Sequence, residues 1–224
     1  MLLLVFIIIL VLYMLPKYPT PRIFKNFITD EECEYIIQQA KKGMEISTVT
    51  NDKNVDESVR KSETAWLKKE DPVVRNVMEK CLTYTDRPLI NCEQLQVLRY
   101  EPGGFYKPHQ DAFENEKNMR MYTFILALND DYEGGETIFP NLDKEYKLKK
   151  GDALFFDTLD NYELMTSKAL HGGKPVKSGE KWICNLWVRK YPYTWISPRS
   201  INFLRFSIWR SWTSALFSAP YGTA

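Results

Sequence analysis

A succession of short apolar segments, separated by glycine turns, runs through the second half of the chain. The predicted strands are Leu95–Tyr100, Tyr122–Leu128, Ala153–Phe156 and Ile183–Arg189. Glycine turns lie at Pro102-Gly103-Gly104, Glu133-Gly134-Gly135 and Lys150-Gly151-Asp152. Many short strands broken by tight turns are typical of a sandwich or a barrel. The aromatic content of 14% is ample for a large β-rich core.

Two amphipathic helices are predicted before this strand-rich region. The first spans Thr29 to Lys42, because Thr29-Asp30-Glu31-Glu32 has the form of an N-cap followed by an acidic first turn. The second spans Pro72 to Leu82 and repeats apolar residues at helical spacing. Between the helices, the segment Ser47–Asp56 is charged, and we expect a solvated connection there rather than a mobile flap over a site.

The motif His109-Gln110-Asp111 is the main candidate for a functional site. The chain contains only two histidines, and His171 is the other. In a strand, side chains at positions i and i+2 leave the same face, so His109 and Asp111 are expected to reach one ion. Two imidazoles and one carboxylate suit non-haem Fe(II) and leave coordination positions open. Taken alone, the motif is also compatible with a surface His-x-Asp pair or a buried structural histidine.

Several short motifs accompany these residues in a fixed order. They are Arg60-Lys61-Ser62, Tyr100-Glu101-Pro102-Gly103-Gly104-Phe105-Tyr106-Lys107-Pro108, Gly134-Gly135-Glu136-Thr137, Leu170-His171-Gly172-Gly173 and Gly179-Glu180-Lys181. Lys181 follows His171 by ten residues. In this order and spacing the chain resembles the catalytic domain of the prolyl 4-hydroxylases, which are Fe(II)- and 2-oxoglutarate-dependent dioxygenases. The resemblance covers residues 22 to 191.

The resemblance implies a fold, a set of cofactors and a role for each site residue. The implied fold is mainly β with flanking α-helices, built on a double-stranded β-helix, or jelly roll. The implied cofactors and co-substrates are Fe(II), 2-oxoglutarate, O2 and ascorbate. Iron ligands are expected at His109, Asp111 and His171, and 2-oxoglutarate contacts at Lys181, Tyr100, Thr137 and Trp187. The catalytic set is then His109, Asp111, His171 and Lys181, and substrate contacts are expected at Tyr106 and Arg120.

The expected function is peptidyl-proline 4-hydroxylation of the procollagen-proline 4-dioxygenase type, coupled to conversion of 2-oxoglutarate to succinate and CO2. The expected partner is a proline-containing peptide or protein. One alternative keeps the cofactors and changes the substrate to peptidyl lysine or nucleic acid. No nucleic-acid partner is expected, because the formal net charge of +1 provides no basic field. A second alternative is a non-catalytic jelly roll that serves as a binding or scaffold module.

The N-terminal residues 1–16 are expected to form an uncleaved hydrophobic membrane anchor. Leu2 to Leu15 is continuously apolar but shorter than the ~20 residues that span a bilayer comfortably. We expect the endoplasmic reticulum membrane and leave the face open. The basic residues Lys17, Arg22 and Lys25 favour a cytoplasmic C-terminal side, whereas the family implies the secretory lumen.

Three further segments complete the expected organisation. Residues 17–93 are expected to form a helical and loop support region, and residues 94–191 the dioxygenase core. The aromatic and basic segment 192–224 is an extension for which an interfacial or partner-docking tail and a segment packed back on the domain are both compatible. Cys81 and Cys92 flank a turn-like segment, and a disulfide between them is possible in an oxidising compartment.

Overall fold

A computed structural model describes residues 5–6, 13–48, 55–114 and 116–194 of the chain. Residues Met1–Tyr193 group into one compact unit, which contains every element discussed below. The segment 192–224, expected as an extension, lies outside the described residues from position 195 onward. The connection predicted between the helices is likewise undescribed at residues 49–54.

Antiparallel β-strands are the predominant secondary structure of the described chain. In chain order they are β1 (Arg22–Phe24), β2 (Glu45–Ile46), β3 (Arg60–Lys61), β4 (Glu63–Leu67), β5 (Leu95–Tyr100), β6 (Phe105–His109), β7 (Arg120–Ala127), β8 (Glu133–Gly134), β9 (Thr137–Phe139), β10 (Lys144–Tyr146), β11 (Ala153–Asp157), β12 (His171–Gly173), β13 (Val176–Ser178) and β14 (Lys181–Arg189). The larger sheet has the order β1-β11-β7-β14-β5-β4-β2, and the smaller sheet has the order β10-β9-β12-β6-β3. Strands β8 and β13 form a separate pair. This arrangement is the expected mainly β fold with two facing antiparallel sheets.

The larger sheet is buried on both of its faces. Along β7, Phe124 and Leu126 enter the core shared with the helices, whereas Ile125 and Ala127 enter the core between the two sheets. This alternation follows from the twofold side-chain period of a strand. The central strands therefore present one row of side chains to the inside of the jelly roll, where a site can form.

Two helices cover the outer face of the larger sheet. They are α1 (Asp30–Ala40) and α2 (Pro72–Leu82). Thr29 caps α1 through a capping box in which its side chain accepts from the Glu32 backbone N–H and the Glu32 side chain accepts from the Thr29 backbone N–H. Asp71 caps α2 by accepting from the N–H groups of Val73 and Val74. The predicted helices are confirmed within two residues at each end.

The region 17–93, expected to be helical and irregular, also supplies four strands. Strand β1 pairs with β11, β3 pairs with β6, and β4 pairs with β5. These pairings extend both sheets, so the support region and the core share one hydrogen-bonded framework. In the C-terminal part, the predicted strand Leu95–Tyr100 is β5 residue for residue.

The disulfide that the sequence allows between Cys81 and Cys92 is not formed. All four cysteines are free and buried. Cys81 and Cys92 lie in the core under the helices, and burial raises the pKa of both thiols above its ordinary value. They therefore pack as small apolar side chains.

The residues described at the N-terminus do not include a membrane-crossing helix. Among the described residues, every helix is too short or too polar to span a bilayer. Residues 1–4 and 7–12 of the expected anchor lie outside the described part of the chain.

Gly172→Ala tests the close approach of β12 to β6. A Cβ at Gly172 would lie 2.9 Å from both Pro108 N and Tyr106 O, which are backbone atoms that cannot move independently. We expect the substitution to lower the free energy of unfolding by about 1–3 kcal/mol, the usual cost of overpacking, measured by urea denaturation. The matched control is Gly43→Ala, because a Cβ there meets nothing within 4 Å. If both variants had the same free energy of unfolding relative to the wild type, the close approach of β12 to β6 would be contradicted.

Candidate metal centre

The two histidines lie opposite each other on neighbouring strands of the smaller sheet. His109 is the last residue of β6, His171 is the first residue of β12, and the two are register partners. Asp111 follows β6 in a bend rather than within the strand. The predicted convergence of His109 and Asp111 is therefore present, but the strand itself ends before the carboxylate.

A bulge in β6 sets the directions of its side chains. His171 pairs with His109, and Gly173 pairs with Tyr106. These two pairs are two residues apart along β12 but three residues apart along β6. The extra residue is the mark of a β-bulge, and Pro108 lies within it, where the ladder does not need its missing N–H. In a regular strand, residues three apart face opposite sides. The bulge brings Tyr106 and His109 to the same side.

Both imidazoles are held through Nδ1 and leave Nε2 for another ligand. His109 Nδ1 lies 2.9 Å from Lys107 O, and His171 Nδ1 lies 3.0 Å from Ala169 O. A carbonyl only accepts, so each Nδ1 carries the proton and each Nε2 has a free lone pair. Each Nε2 lies 3.7 Å from an oxygen of Asp111, and the three ligand atoms lie within 4.8 Å of one another.

Asp111 is buried and its carboxylate is fixed by two donors. Its Oδ2 accepts from the Thr123 hydroxyl at 2.7 Å and from the Trp187 indole N–H at 2.9 Å. Burial by itself would raise the pKa of Asp111, but the nearby imidazoles and the Arg120 guanidinium outweigh it and hold the pKa below its ordinary value. The group is thus a carboxylate at neutral pH, as a metal ligand must be.

The two histidines have different surroundings. The His171 side chain is 6% exposed and packs against Phe139, with ring centroids 5.5 Å apart, and Phe156, at 4.7 Å. The His109 side chain is 22% exposed and stacks on Tyr106, with ring centroids 3.6 Å apart and the planes 20° from parallel. Burial and the neighbouring His171 lower the pKa of His109, which favours the neutral imidazole that binds metals.

Lys181 provides a buried cation in a small cavity between the two sheets. It is 5% exposed, and its Nζ donates to Gly135 O at 2.6 Å. A lysine ammonium has three donors, and no carboxylate partner for it is recorded among the described residues. Burial, with a further contribution from Lys147, lowers the pKa of Lys181 to about 8. A buried ammonium without a counter-ion is costly, so this position favours an anionic ligand.

Tyr100 and Thr137 lie beside Lys181, as the sequence predicts for contacts with the co-substrate. Tyr100 is the cross-strand partner of Lys181, whose Nζ lies 5.4 Å from the centre of the Tyr100 ring. Thr137 and Lys181 line one small cavity between the sheets. Trp187, expected in the same pocket, instead donates its indole N–H to Asp111. Its direct contact is therefore with the ligand carboxylate.

The two expected substrate contacts, Tyr106 and Arg120, border the metal ligands. The guanidinium carbon of Arg120 lies 3.6 Å from the centre of the Trp187 ring. The guanidinium also forms a bidentate pair with the Glu93 carboxylate, with hydrogen bonds of 2.6 and 3.0 Å. Its Nη1 is the end that points to the site, 4.0 Å from Asp111 Oδ1. Glu93 also accepts from the guanidinium of Arg189, at 2.8 Å.

Several residues that build the site were not predicted from the sequence. Thr123 and Glu93 hold Asp111 and Arg120, and Phe139 and Phe156 enclose His171. Thr123 could have been suspected, because it is the one polar residue in the apolar run from Met121 to Leu128. Glu93 has no comparable signal, since its role depends on how three strands align.

Comparison with known proteins places this geometry in a family. Residues 95–189 match the 2OG-Fe(II) oxygenase superfamily model. A prolyl 4-hydroxylase-like protein of Acanthamoeba polyphaga mimivirus is 34% identical over 188 residues, which cover 79% of this chain and 77% of that protein. Arabidopsis thaliana prolyl 4-hydroxylase 1 is 34% identical over 197 residues, covering 76% of this chain and 70% of that protein. The chain belongs to the prolyl 4-hydroxylase family.

A solved structure of this family agrees with the fold. The viral collagen prolyl hydroxylase of Paramecium bursaria Chlorella virus 1, determined with 2-oxoglutarate, superimposes with a TM-score of 0.64 at 32% identity. The match covers 78% of this chain and 97% of that structure. The expected jelly-roll class and the resemblance to prolyl 4-hydroxylases are thereby confirmed.

The residues present fit the cofactors of a prolyl 4-hydroxylase. His109, Asp111 and His171 have the composition of the two-histidine, one-carboxylate site typical of Fe(II) oxygenases. Lys181 would pair with the carboxylate of 2-oxoglutarate that is remote from the metal, by a charge-assisted hydrogen bond. The described residues of this member of the prolyl 4-hydroxylase family therefore include a candidate ligand set for the metal and a separate buried cation that would suit the co-substrate.

The lowered pKa of Lys181 predicts a pH dependence of 2-oxoglutarate binding. Because the pKa is about 8, the ammonium is charged below pH 8 and loses its charge as the pH rises above it. We expect the Kd for 2-oxoglutarate to increase above that point, by up to about tenfold per pH unit, in anaerobic titration calorimetry. In Lys181→Met, 2-oxoglutarate binding should be weak, and its Kd should not show this increase above pH 8. If the Kd for 2-oxoglutarate changed with pH in the same way in the wild type and in Lys181→Met, the assignment of Lys181 to 2-oxoglutarate binding would be contradicted.

Proposed function

We propose that this protein is an Fe(II)- and 2-oxoglutarate-dependent dioxygenase that converts peptidyl proline to 4-hydroxyproline. In the same turnover, 2-oxoglutarate becomes succinate and CO2. The observation that carries the proposal is that His109, Asp111 and His171 converge on one point, while Lys181 provides a buried cation that lines a small cavity between the two sheets. The names of the viral and plant relatives support proline as the substrate residue.

Each residue has a separate task in this reaction. Fe(II) bound by the three ligands supplies the activation of O2 that the side chains cannot provide. Lys181 orients 2-oxoglutarate by fixing its far end, and Thr123 with Trp187 keeps the Asp111 carboxylate in one orientation. The apolar walls around Lys181, including Ile125 and Ile183, exclude water from that end of the cavity.

The proposed peptide site lies on the more exposed side of the metal ligands. Tyr106 is half-buried, and Arg120 presents one guanidinium nitrogen towards Asp111. Arg120 is held on its other edge by Glu93, so it is preorganised to donate to a peptide carbonyl without first being ordered. The guanidinium carbon also lies 3.6 Å from the centre of the Trp187 ring, a cation–π contact that further restrains Arg120.

Succinate formation tests the reaction and the substrate together. The full-length protein in detergent is supplied with Fe(II), 2-oxoglutarate and ascorbate, with and without proline-rich peptides. We expect peptide-stimulated succinate and a mass gain of one oxygen on proline. His171→Ala should abolish both by removing a metal ligand. The matched control is Arg99→Gln, a surface variant that should retain activity, because Arg99 pairs with Glu63 and Glu180 on the helix side of the larger sheet.

The outcomes separate the proposal from its alternatives. Succinate that does not depend on the peptide would retain the dioxygenase and reject proline as the substrate. A folded protein that binds Fe(II) but forms no succinate would favour the scaffold alternative. Full activity of His171→Ala would overturn the ligand assignment.

We propose in addition that residues 1–16 anchor the protein in the endoplasmic reticulum membrane. The continuous apolar run Leu2 to Leu15 supports this localisation. A charged residue at the centre of a membrane helix costs about 2.5–3.5 kcal/mol, so Ile8→Asp with Leu10→Asp should move the protein into the carbonate-soluble fraction. If the unsubstituted protein were also found in the carbonate-soluble fraction, the proposed anchor would be rejected.

A further inference from the structure

We infer that Arg60 is a positioning residue for the metal centre, acting on His109 through the ring of Tyr106. The inference uses the metal ligands of the proposed function but does not depend on which substrate is hydroxylated. Arg60, Tyr106 and His109 form one stacked column, and we call it the Arg60 column. It begins in a buried guanidinium on β3 and ends at the more exposed of the two histidine ligands.

The geometry of the Arg60 column is continuous. The Arg60 guanidinium carbon lies 4.7 Å from the centre of the Tyr106 ring, and the Tyr106 and His109 ring centres are 3.6 Å apart. Because the imidazole occupies one face of the Tyr106 ring at this short distance, the guanidinium must lie over the other face. Arg60 and Tyr106 are also direct cross-strand partners on β3 and β6. The tyrosine ring is thus enclosed between a cation and a metal ligand.

Hydrogen bonds to a chain of hydroxyl groups hold the Arg60 side chain in place. Arg60 is only 6% exposed, and its Nε donates to Ser62 Oγ at 3.0 Å. The Ser62 hydroxyl in turn donates to Ser47 Oγ at 2.8 Å, and Ser47 is hydrogen-bonded to Thr64 on β4. This hydroxyl chain connects the column to the larger sheet. Arg60 therefore has a defined position independent of Tyr106.

His109 needs such support more than His171 does. His171 is enclosed by the buried rings of Phe139 and Phe156, which belong to the rigid interior. His109 has a hydrogen bond to Lys107 O, which fixes one edge of its ring, and the stack on Tyr106, which fixes its plane. Tyr106 is itself only half-buried, so its orientation depends on the cation over its other face. Removing the guanidinium is expected to free the tyrosine and then the imidazole.

The direct test is the affinity of the metal site for Co(II), a spectroscopic substitute for Fe(II), measured by absorption titration without substrate. Groups that orient metal ligands typically contribute about 10–100-fold to metal affinity. We expect Arg60→Gln to weaken Co(II) binding by about tenfold, with little change in Tm. Arg60→Lys, which keeps the charge but loses the planar face, should also weaken it. The matched control Arg99→Gln should leave the affinity unchanged.

Substitutions of Tyr106 test the middle of the Arg60 column. Tyr106→Leu, which removes the stacking surface, should weaken Co(II) binding as much as Arg60→Gln does, whereas Tyr106→Phe should preserve it. The double variant Arg60→Gln with Tyr106→Leu should bind no more weakly than Tyr106→Leu alone, because the two residues act in series.

The results that would overturn the inference are distinct. Unchanged Co(II) affinity in Arg60→Gln and Arg60→Lys, with a raised KM for peptide, would make Arg60 a substrate contact instead. If the Arg60 variants do not fold, the Tyr106 variants still test the inference. Equal Co(II) affinity of Tyr106→Leu and Tyr106→Phe would then reject the Arg60 column. Failure of the unsubstituted protein to bind Co(II) would remove the metal centre itself, and with it the proposed function.

Discussion

The antiparallel pairing of β6 with β12 is the interaction on which the site depends. It sets His109 opposite His171, so two ligands that are far apart in sequence become neighbours through backbone hydrogen bonds alone. A shift of one residue would turn one histidine to the other face of the sheet. The bulge at Pro108 and the close passage of Gly172 over the β6 backbone act against such a shift. The metal centre is therefore specified by strand register before any metal binds.

Two buried charged groups of opposite sign, Asp111 and Lys181, have different partners. Asp111 lies among the imidazoles and is satisfied by Thr123 and Trp187. Lys181 lies at the start of β14 and has a backbone carbonyl as its recorded hydrogen-bond partner. A carboxylate that is already hydrogen-bonded, and an ammonium with no carboxylate in contact among the described residues, would suit a dianion held by the metal at one end and by the lysine at the other. The large apolar cores on both sides of the main sheet offset the cost of burying these groups.

The sequence predicted those parts of the structure that local pattern determines. Strand β5 and helix α2 have the predicted bounds. The three expected metal ligands lie close together, and Lys181 lines a small cavity between the two sheets. Strands β2 and β3 were missed, since each has two residues and forms only because a neighbouring strand offers unpaired backbone groups. The disulfide that the sequence left open at Cys81 and Cys92 is absent, because nearness in sequence does not determine where buried side chains point. Trp187 was expected in the co-substrate pocket, whereas the contact it makes is with Asp111 and depends on the register of β14 against β7.

The unequal support of the two histidines follows from what the site must do. A peptide has to reach the metal from outside, so the ligand on that side cannot be enclosed by an apolar core as His171 is. His109 is instead held by Tyr106, whose ring is stabilised by the Arg60 guanidinium and remains half-buried. Aromatic and guanidinium groups tolerate water at one edge while still packing face to face. Under the proposed function, the same tyrosine would border both the proposed peptide position and a metal ligand, so that occupation of the peptide site and the orientation of His109 would be physically linked.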